Sequence, residues 1–167
     1  MQVRKSESPA THLLISMLIR YPEVSSVRYE PENHALVFSF FLQGQVDVAK
    51  KNACLKDLNT CFEVCTELDR EFPKMGNLTF TSLEDITIVM YHQEINQITT
   101  GEISLLTSIL QNHFANEVAL DPLMVDEDDM ELQEELIDRL LGHRDILSEQ
   151  KQIVAYRDGG KVFVYNR

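Results

Sequence analysis

The sequence predicts an α+β fold in which amphipathic helices pack on one face of a mainly antiparallel sheet built from β-hairpins. Two observations lead to this prediction. A long amphipathic segment covers residues 47–72, and a unit of one helix followed by two strands occurs three times along the chain. Because an isolated hairpin is only marginally stable, we expect the three hairpins to share one sheet.

The segment from Asp47 to Phe72 predicts the longest helix of the chain. Asp47 is a suitable N-cap, and Pro73 favours a helix end because proline disfavours α geometry at the residue before it. The apolar residues recur at helical spacing and form one stripe. This stripe contains Cys54, Leu58, Cys61, Phe62, Cys65, Leu68 and Phe72. We therefore expect this side of the helix to be buried against the sheet.

The first helix–strand–strand unit begins with a short helix. Pro9 in a first helical turn is typical of a helix start, and Pro22 predicts the end of that helix. Two strands follow, over residues 24–30 and 35–42. The second strand is apolar on both faces, which favours a central strand covered on both sides. The first strand is more polar, and we expect it nearer an edge of the sheet.

The second unit consists of the long helix and another hairpin. The strands of this hairpin are predicted over residues 78–81 and 86–95. Thr99 and Glu102 then form a capping-box pattern, which indicates the start of a further helix. This helix is expected to end near Asn116.

The third unit follows an acidic connection at residues 119–129. A helix is predicted over residues 130–141. A terminal hairpin is predicted with strands over residues 152–156 and 162–165. An Asp-Gly pair at 158–159 joins these strands, a pattern typical of a type I′ turn. The helix is expected to turn five apolar side chains inward, namely Leu132, Leu136, Ile137, Leu140 and Leu141.

These units suggest a simple domain organisation. Residues 1–118 form the main α+β domain, in the order α-β-β-α-β-β-α. Residues 119–129 form the acidic connection. Residues 130–167 form a C-terminal helix and hairpin that pack either on the main domain or on a partner subunit.

Composition limits the class of protein. A chain of 167 residues with 44% hydrophobic and 25% charged residues fits one globular domain. Its longest apolar run, residues 35–42, is far shorter than the roughly 20 residues needed to span a bilayer, so we expect no membrane segment. Three cysteines on one helix face fit a reducing environment, and we expect a cytoplasmic protein.

Charge is distributed unevenly along the chain. The formal net charge is −12, which argues against a nucleic-acid partner because such proteins usually carry a basic patch. Residues 116–150 hold twelve acidic and two basic side chains, whereas residues 151–167 hold four basic and one acidic. The chain therefore combines an acidic helix with a basic terminal hairpin.

The cysteines at positions 54, 61 and 65 are candidates for metal binding or for packing. A zinc site needs four ligands, usually with a CxxC-like knuckle, and neither the knuckle nor a fourth ligand is evident. Free cysteine commonly behaves as a small buried hydrophobe. We interpret Cys54, Cys61 and Cys65 as core residues.

The sharpest metal hypothesis concerns His92, Glu94 and His113. His92 and Glu94 share one strand face at i, i+2, and His113 interrupts the apolar face of the next helix. Imidazole and carboxylate ligands would suit a divalent transition metal such as zinc, iron or manganese. The alternative is that they are ordinary polar residues, since no HxxxH or HExxH spacing is present.

The acidic run from Asp126 to Asp138 invites a calcium interpretation. The EF-hand pattern fails there, because Met130 occupies the third ligand position and Glu131 stands where a tight-turn glycine is required. We interpret the run as a solvated face or as a docking surface for a basic protein.

The sequence contains no phosphate-binding glycine loop and no nucleophile motif. We therefore expect a non-catalytic interaction or regulatory protein that needs no cofactor and acts as a homo-oligomer, most simply a homodimer. The acidic helix and the basic hairpin motivate this hypothesis, because they could pair across subunits. The alternative function is a metal-dependent, hydrolase-like enzyme that uses His92, Glu94 and His113.

Overall fold

A computed structural model describes residues 8–118 and 127–166, and in this part of the chain it confirms the α+β class. The helices are α1 (Pro9–Arg20), α2 (Val48–Leu68), α3 (Thr100–Phe114) and α4 (Glu127–Gly142), followed by a 3-10 turn at Arg144–Leu147. The strands are β1 (Ser26–Glu30), β2 (Ala35–Gln43), β3 (Asn77–Leu83), β4 (Ile86–Glu94), β5 (Ile153–Asp158) and β6 (Lys161–Asn166). None of these helices is both long and apolar enough to cross a membrane.

The six strands form one sheet in the order β3-β4-β2-β1-β5-β6, with every neighbouring pair antiparallel. The terminal hairpin joins this sheet because β5 pairs with β1 of the same chain. The prediction that β1 lies near an edge is wrong, since β1 has a strand on either side. Its polar residues Arg28 and Glu30 instead occupy one face of the sheet, where they pair with each other at 2.7 Å.

The helices lie on one face of the sheet. α1 packs on β1 and β5, and α4 packs on the outer side of α1, so α1 is buried along nearly its whole length. Arg157 at the end of β5 donates hydrogen bonds to the carbonyl oxygens of Leu18, Tyr21 and Val24. These bonds fasten the terminal hairpin to the C-terminal end of α1.

The long helix α2 is four residues shorter than predicted. It ends at Leu68, whose side chain is 83% exposed, and Asp69 leaves helical geometry as its C-cap. The side chain of Asp69 accepts a hydrogen bond from the amide of Glu71, which stabilises a turn in place of further helix. Phe72 folds back from that turn, so that its ring lies 5.5 Å from the ring of Phe62.

The acidic helix α4 begins at Glu127, three residues earlier than predicted. Ile137 and Leu141 are buried as expected, but the prediction for Leu132 is wrong, because that side chain is 59% exposed. Both buried side chains belong to the second half of the helix, and the ion pair of Glu134 with Arg20 of α1 lies just before them. Residues 127–129 of the predicted connection thus belong to α4, and its residues 119–126 lie outside the described residues.

Candidate functional site

The face of the sheet opposite the helices, here called the open face, has no described helix packed on it. Side chains alternate between the two faces, as β4 illustrates: Val89 and Tyr91 are fully buried on the helix side, and Met90 between them is half-buried on the open face. β2 is apolar on both faces as predicted, but helices of the described chain cover only one. On its other face Phe41 is 41% exposed, whereas Ala35, Val37 and Ser39 are buried.

The strand register arranges the open face in rows that run across the sheet. The upper row contains Asn77, His92, Val37, Arg28, Val154 and Tyr165. The middle row contains Thr79, Met90, Ser39, Ser26, Tyr156 and Phe163. The lower row begins with Thr81, Ile88 and Phe41 and ends with Asp158 and Lys161.

One half of this face is aromatic. On β5 and β6 the rings of Tyr156 and Phe163 are stacked with centroids 5.5 Å apart, and the ring of Tyr165 lies edge-on to Tyr156 at 6.0 Å. A shallow groove runs beside them, lined mainly by Phe41, Val154, Tyr156 and Tyr165. Phe163 and Tyr165 are each more than 40% exposed. We call the open side of β5 and β6 the aromatic half.

The other half is aliphatic. On β3 and β4 the open side carries Leu83, Ile86, Ile88 and Met90, of which Leu83 is 49% exposed. Of the nine large hydrophobic side chains that are strongly exposed in the described residues, five lie on the open face: Phe41, Leu83, Ile86, Phe163 and Tyr165. Exposed apolar surface is therefore concentrated on this face of the sheet.

Most charged groups on the open face lie toward its margins, although Arg28 lies on the internal strand β1. Glu94 and the Arg28–Glu30 pair lie toward the upper end, and Asp158 and Lys161 lie at one lower corner. The pKa of Glu30 is lowered, because hydrogen bonds from Arg28 and Asn33 outweigh the opposing effect of partial burial. The middle row contains no charged side chain. The face thus combines an uncharged centre with charged margins.

The three residues of the metal hypothesis are not brought together. His92 and Glu94 lie side by side on the open face of β4, as expected for an i, i+2 pair. His113 lies on α3, on the other side of the sheet, and its Nε2 is 2.6 Å from Oδ2 of Asp57 on α2. Within residues 8–118 and 127–166, no three His, Cys, Asp or Glu side chains converge in a way that could hold a metal ion.

The three cysteines of α2 are free thiols that differ in how deeply they are buried. Cys54 is fully buried, and Cys61 and Cys65 are half-buried. Burial raises the pKa of the Cys54 thiol to about 11, with the negative charge of Asp57 adding to the effect. Cys54 therefore packs as a neutral thiol at ordinary pH.

The core contains a polar cluster that sequence reasoning missed. Oε2 of Glu102 accepts hydrogen bonds from the hydroxyl of Tyr91 and from Nε2 of Gln93, and its Oε1 is buried without a hydrogen-bond partner among the described residues. Burial raises the pKa of Glu102 in spite of these donors. Tyr91 also accepts from the amide of Gly76, and Gln93 donates to the carbonyl of Lys74. The cluster thus ties the segment before β3 to the start of α3.

The capping-box pattern predicted that Glu102 caps the start of α3, not that it belongs to a buried polar cluster. Half of that prediction is confirmed, since Oγ1 of Thr99 accepts a hydrogen bond from the amide of Glu102 at 3.1 Å. The carboxyl group, however, bonds to β4 and not back to Thr99. The available signal was the alternation of β4, which places Tyr91 and Gln93 on the same inward side.

The acidic run lies mostly on the outer surface of α4. Asp128, Asp129, Glu131 and Glu135 are exposed, and Asp138 accepts a hydrogen bond from Thr100. Asp126 lies outside the described residues. Comparison of the chain with protein-family models, with curated protein sequences and with solved structures gave no significant match.

Proposed function

We propose that this chain is a non-catalytic interaction or regulatory protein that works as a homodimer, and that two copies bind through the open face of the sheet. The observation that carries the proposal is the concentration of exposed aromatic and aliphatic side chains on that face. Contiguous apolar surface of this kind marks sites of protein association in soluble proteins.

The size of the face supports this proposal. The strands average seven residues, and there are six of them. At about 4.8 Å between strands and about 3.3 Å per residue, the face measures roughly 29 by 23 Å. Two such faces contribute about 1,300 Å² before side-chain relief is counted, which lies within the range of about 1,200–2,000 Å² that stable interfaces bury.

The chemistry of the face supports the proposal as well. Interfaces between protein subunits have apolar centres that are depleted of charge and rich in aromatic residues and methionine, with polar rims. The uncharged middle row, with Met90, Tyr156 and Phe163, matches such a centre. Glu30 and Glu94, at the ends of their strands, match such a rim. Two sheets can pack face to face in this way at a separation of about 10 Å.

The proposal does not depend on pairing between the acidic helix and the basic hairpin. Within one chain, α4 packs on α1, and Glu134 of α4 forms its ion pair with Arg20 of the same subunit. Within the described residues, no helix packs on the open face when α4 and the terminal hairpin are both in place.

Two charge substitutions test the proposal by sedimentation velocity. Phe163→Glu places a charge in the aromatic half, and we expect it to convert a dimer into a monomer. The matched control is Leu132→Glu, which alters an exposed apolar residue of α4 and is expected to leave the dimer intact. Circular dichroism checks that both variants are folded. A wild-type monomer, or a Phe163→Glu variant that dimerises as tightly as wild type, would overturn the proposal.

A further inference from the structure

We propose that the two copies pack with their two-fold axis parallel to the strands, so that the aromatic half of each subunit contacts the aliphatic half of the other. This inference rests on the proposed homodimer and adds to it which side chains meet. It follows from the strand order and register together with the distribution of charge on the open face.

A closed dimer of two identical sheet faces has its two-fold axis in the plane between them. If the axis runs along the strands, the strand order is reversed between the two layers. β6 then lies over the partner's β3, β5 over the partner's β4, and β1 over the partner's β2. If the axis runs across the strands, each strand lies over its own copy, and the upper and lower ends are exchanged.

The parallel axis brings unlike apolar groups together. In the middle row Tyr156 faces the partner's Met90, and Phe163 faces the partner's Thr79. The flexible thioether of methionine adapts to an irregular aromatic surface, and contacts between sulfur and aromatic rings are favourable. The perpendicular axis would instead place Tyr156 and Phe163 on their own copies.

Charge favours the same orientation. With the perpendicular axis, Glu94 at the upper end of β4 would lie over the partner's Ile86 at the lower end, and a carboxylate would lose water without gaining a partner. With the parallel axis the upper ends of both subunits lie at the same edge of the interface, where they remain hydrated. Glu94 then lies near the partner's Lys151, an exposed residue just before the start of β5.

Spin labels distinguish the two orientations. A single cysteine replaces Thr79 on β3 in a background that carries Cys61→Ser and Cys65→Ser and keeps the fully buried Cys54. Five strand spacings and the gap between sheets separate the two labelled backbones by about 26 Å with the parallel axis, but by only about 10 Å with the perpendicular one. The matched position is the half-buried Ser26 on the central strand β1, which is expected to give a short distance with the parallel axis.

Pulsed dipolar spectroscopy of the labelled dimer is expected to show a clearly longer distance for Thr79 than for Ser26. A short distance for Thr79 in a protein of dimeric mass would overturn this orientation and leave the homodimer standing. Unlabelled protein of monomeric mass would overturn the homodimer itself. The exposed Thr81, which follows on the open side of β3, repeats the measurement in case the label at Thr79 disturbs association.

Discussion

The hydroxyl group of Tyr91 donates a hydrogen bond to Oε2 of Glu102 in the core, where both side chains are fully buried. Gln93 donates to the same oxygen at 2.6 Å. Burial nevertheless dominates and raises the pKa of Glu102, although hydrogen bonds and the positive charge of Arg144 act in the opposite direction. A carboxyl group in this position makes the stability of the fold depend on pH.

We expect Glu102→Gln to stabilise the protein increasingly as the pH rises. The pKa of glutamate in an unfolded chain is about 4.3. Because the folded pKa is higher, the folded state binds more protons than the unfolded state between the two values, so the free energy of unfolding falls as the pH rises through that interval. The glutamine variant loses this dependence. Its advantage over wild type therefore grows with pH and levels off above the folded pKa.

Urea denaturation over a series of pH values measures this difference. The control is Glu63→Gln, which removes an exposed carboxylate from α2 and is expected to leave the pH profile of stability close to that of wild type. If the free energies of unfolding of Glu102→Gln and wild type differed by the same amount at every pH, the raised pKa of Glu102 would not contribute to the pH dependence of stability.

Gly76→Ala is expected to destabilise the protein by about 1–3 kcal/mol, the usual cost of overpacking. A Cβ at this position would overlap the carbonyl oxygen of His92 and approach the ring of Tyr91 to 3.1 Å. Gly142→Ala is the matched control, since no atom of the described residues lies within 4 Å of its added Cβ and alanine is the better helix former. Thermal denaturation that ranked the two variants in the opposite order would contradict the close approach of residue 76 to β4.

Arg157→Lys is expected to cost about 1–3 kcal/mol, because one ammonium group cannot replace a guanidinium that bonds to several carbonyl oxygens. The loss should appear first as faster amide hydrogen exchange in β6, which pairs only with β5 in the described sheet. Lys161→Arg, on the exposed lower corner, serves as a conservative control. Unchanged exchange in the Arg157 variant would show that these bonds do not secure the hairpin.

The thiols of α2 are expected to react in two classes. Cys61 and Cys65 are half-buried and should react with an aromatic disulfide reagent in the native protein. Cys54 should react only on unfolding, because its side chain is inaccessible and its pKa is raised to about 11. Counting reactive thiols with and without urea checks this, and three equal native rates would contradict the burial of Cys54.

The sequence predicted which helices and strands form better than it predicted which of them lie next to each other. Periodicity correctly indicated the α+β class. The predicted terminal hairpin is present, but its turn residues are Gly159 and Gly160, both with positive φ, and not Asp158 and Gly159, because Asp158 still pairs with Lys161. The position of β1 was missed because polar residues were taken as a mark of an edge. Arg28 and Glu30 are tolerated in an internal strand because they pair with each other on the face that no described helix covers.

The sequence predicted only part of the candidate site. The two apolar faces of β2 were visible in the sequence, but whether helices or a second subunit would cover the second face depends on how the hairpins pair. The same pairing decides that His92 and His113 lie on opposite sides of the sheet. Local patterns indicate which face of an element is apolar, whereas the tertiary arrangement determines what covers it.

The molar mass of the wild-type protein in solution tests the central claim most directly. Static light scattering at tens of micromolar protein is expected to give about twice the 19.2 kDa mass of one chain. A mass of 19.2 kDa under the same conditions would contradict the assignment of the open face as a dimer interface.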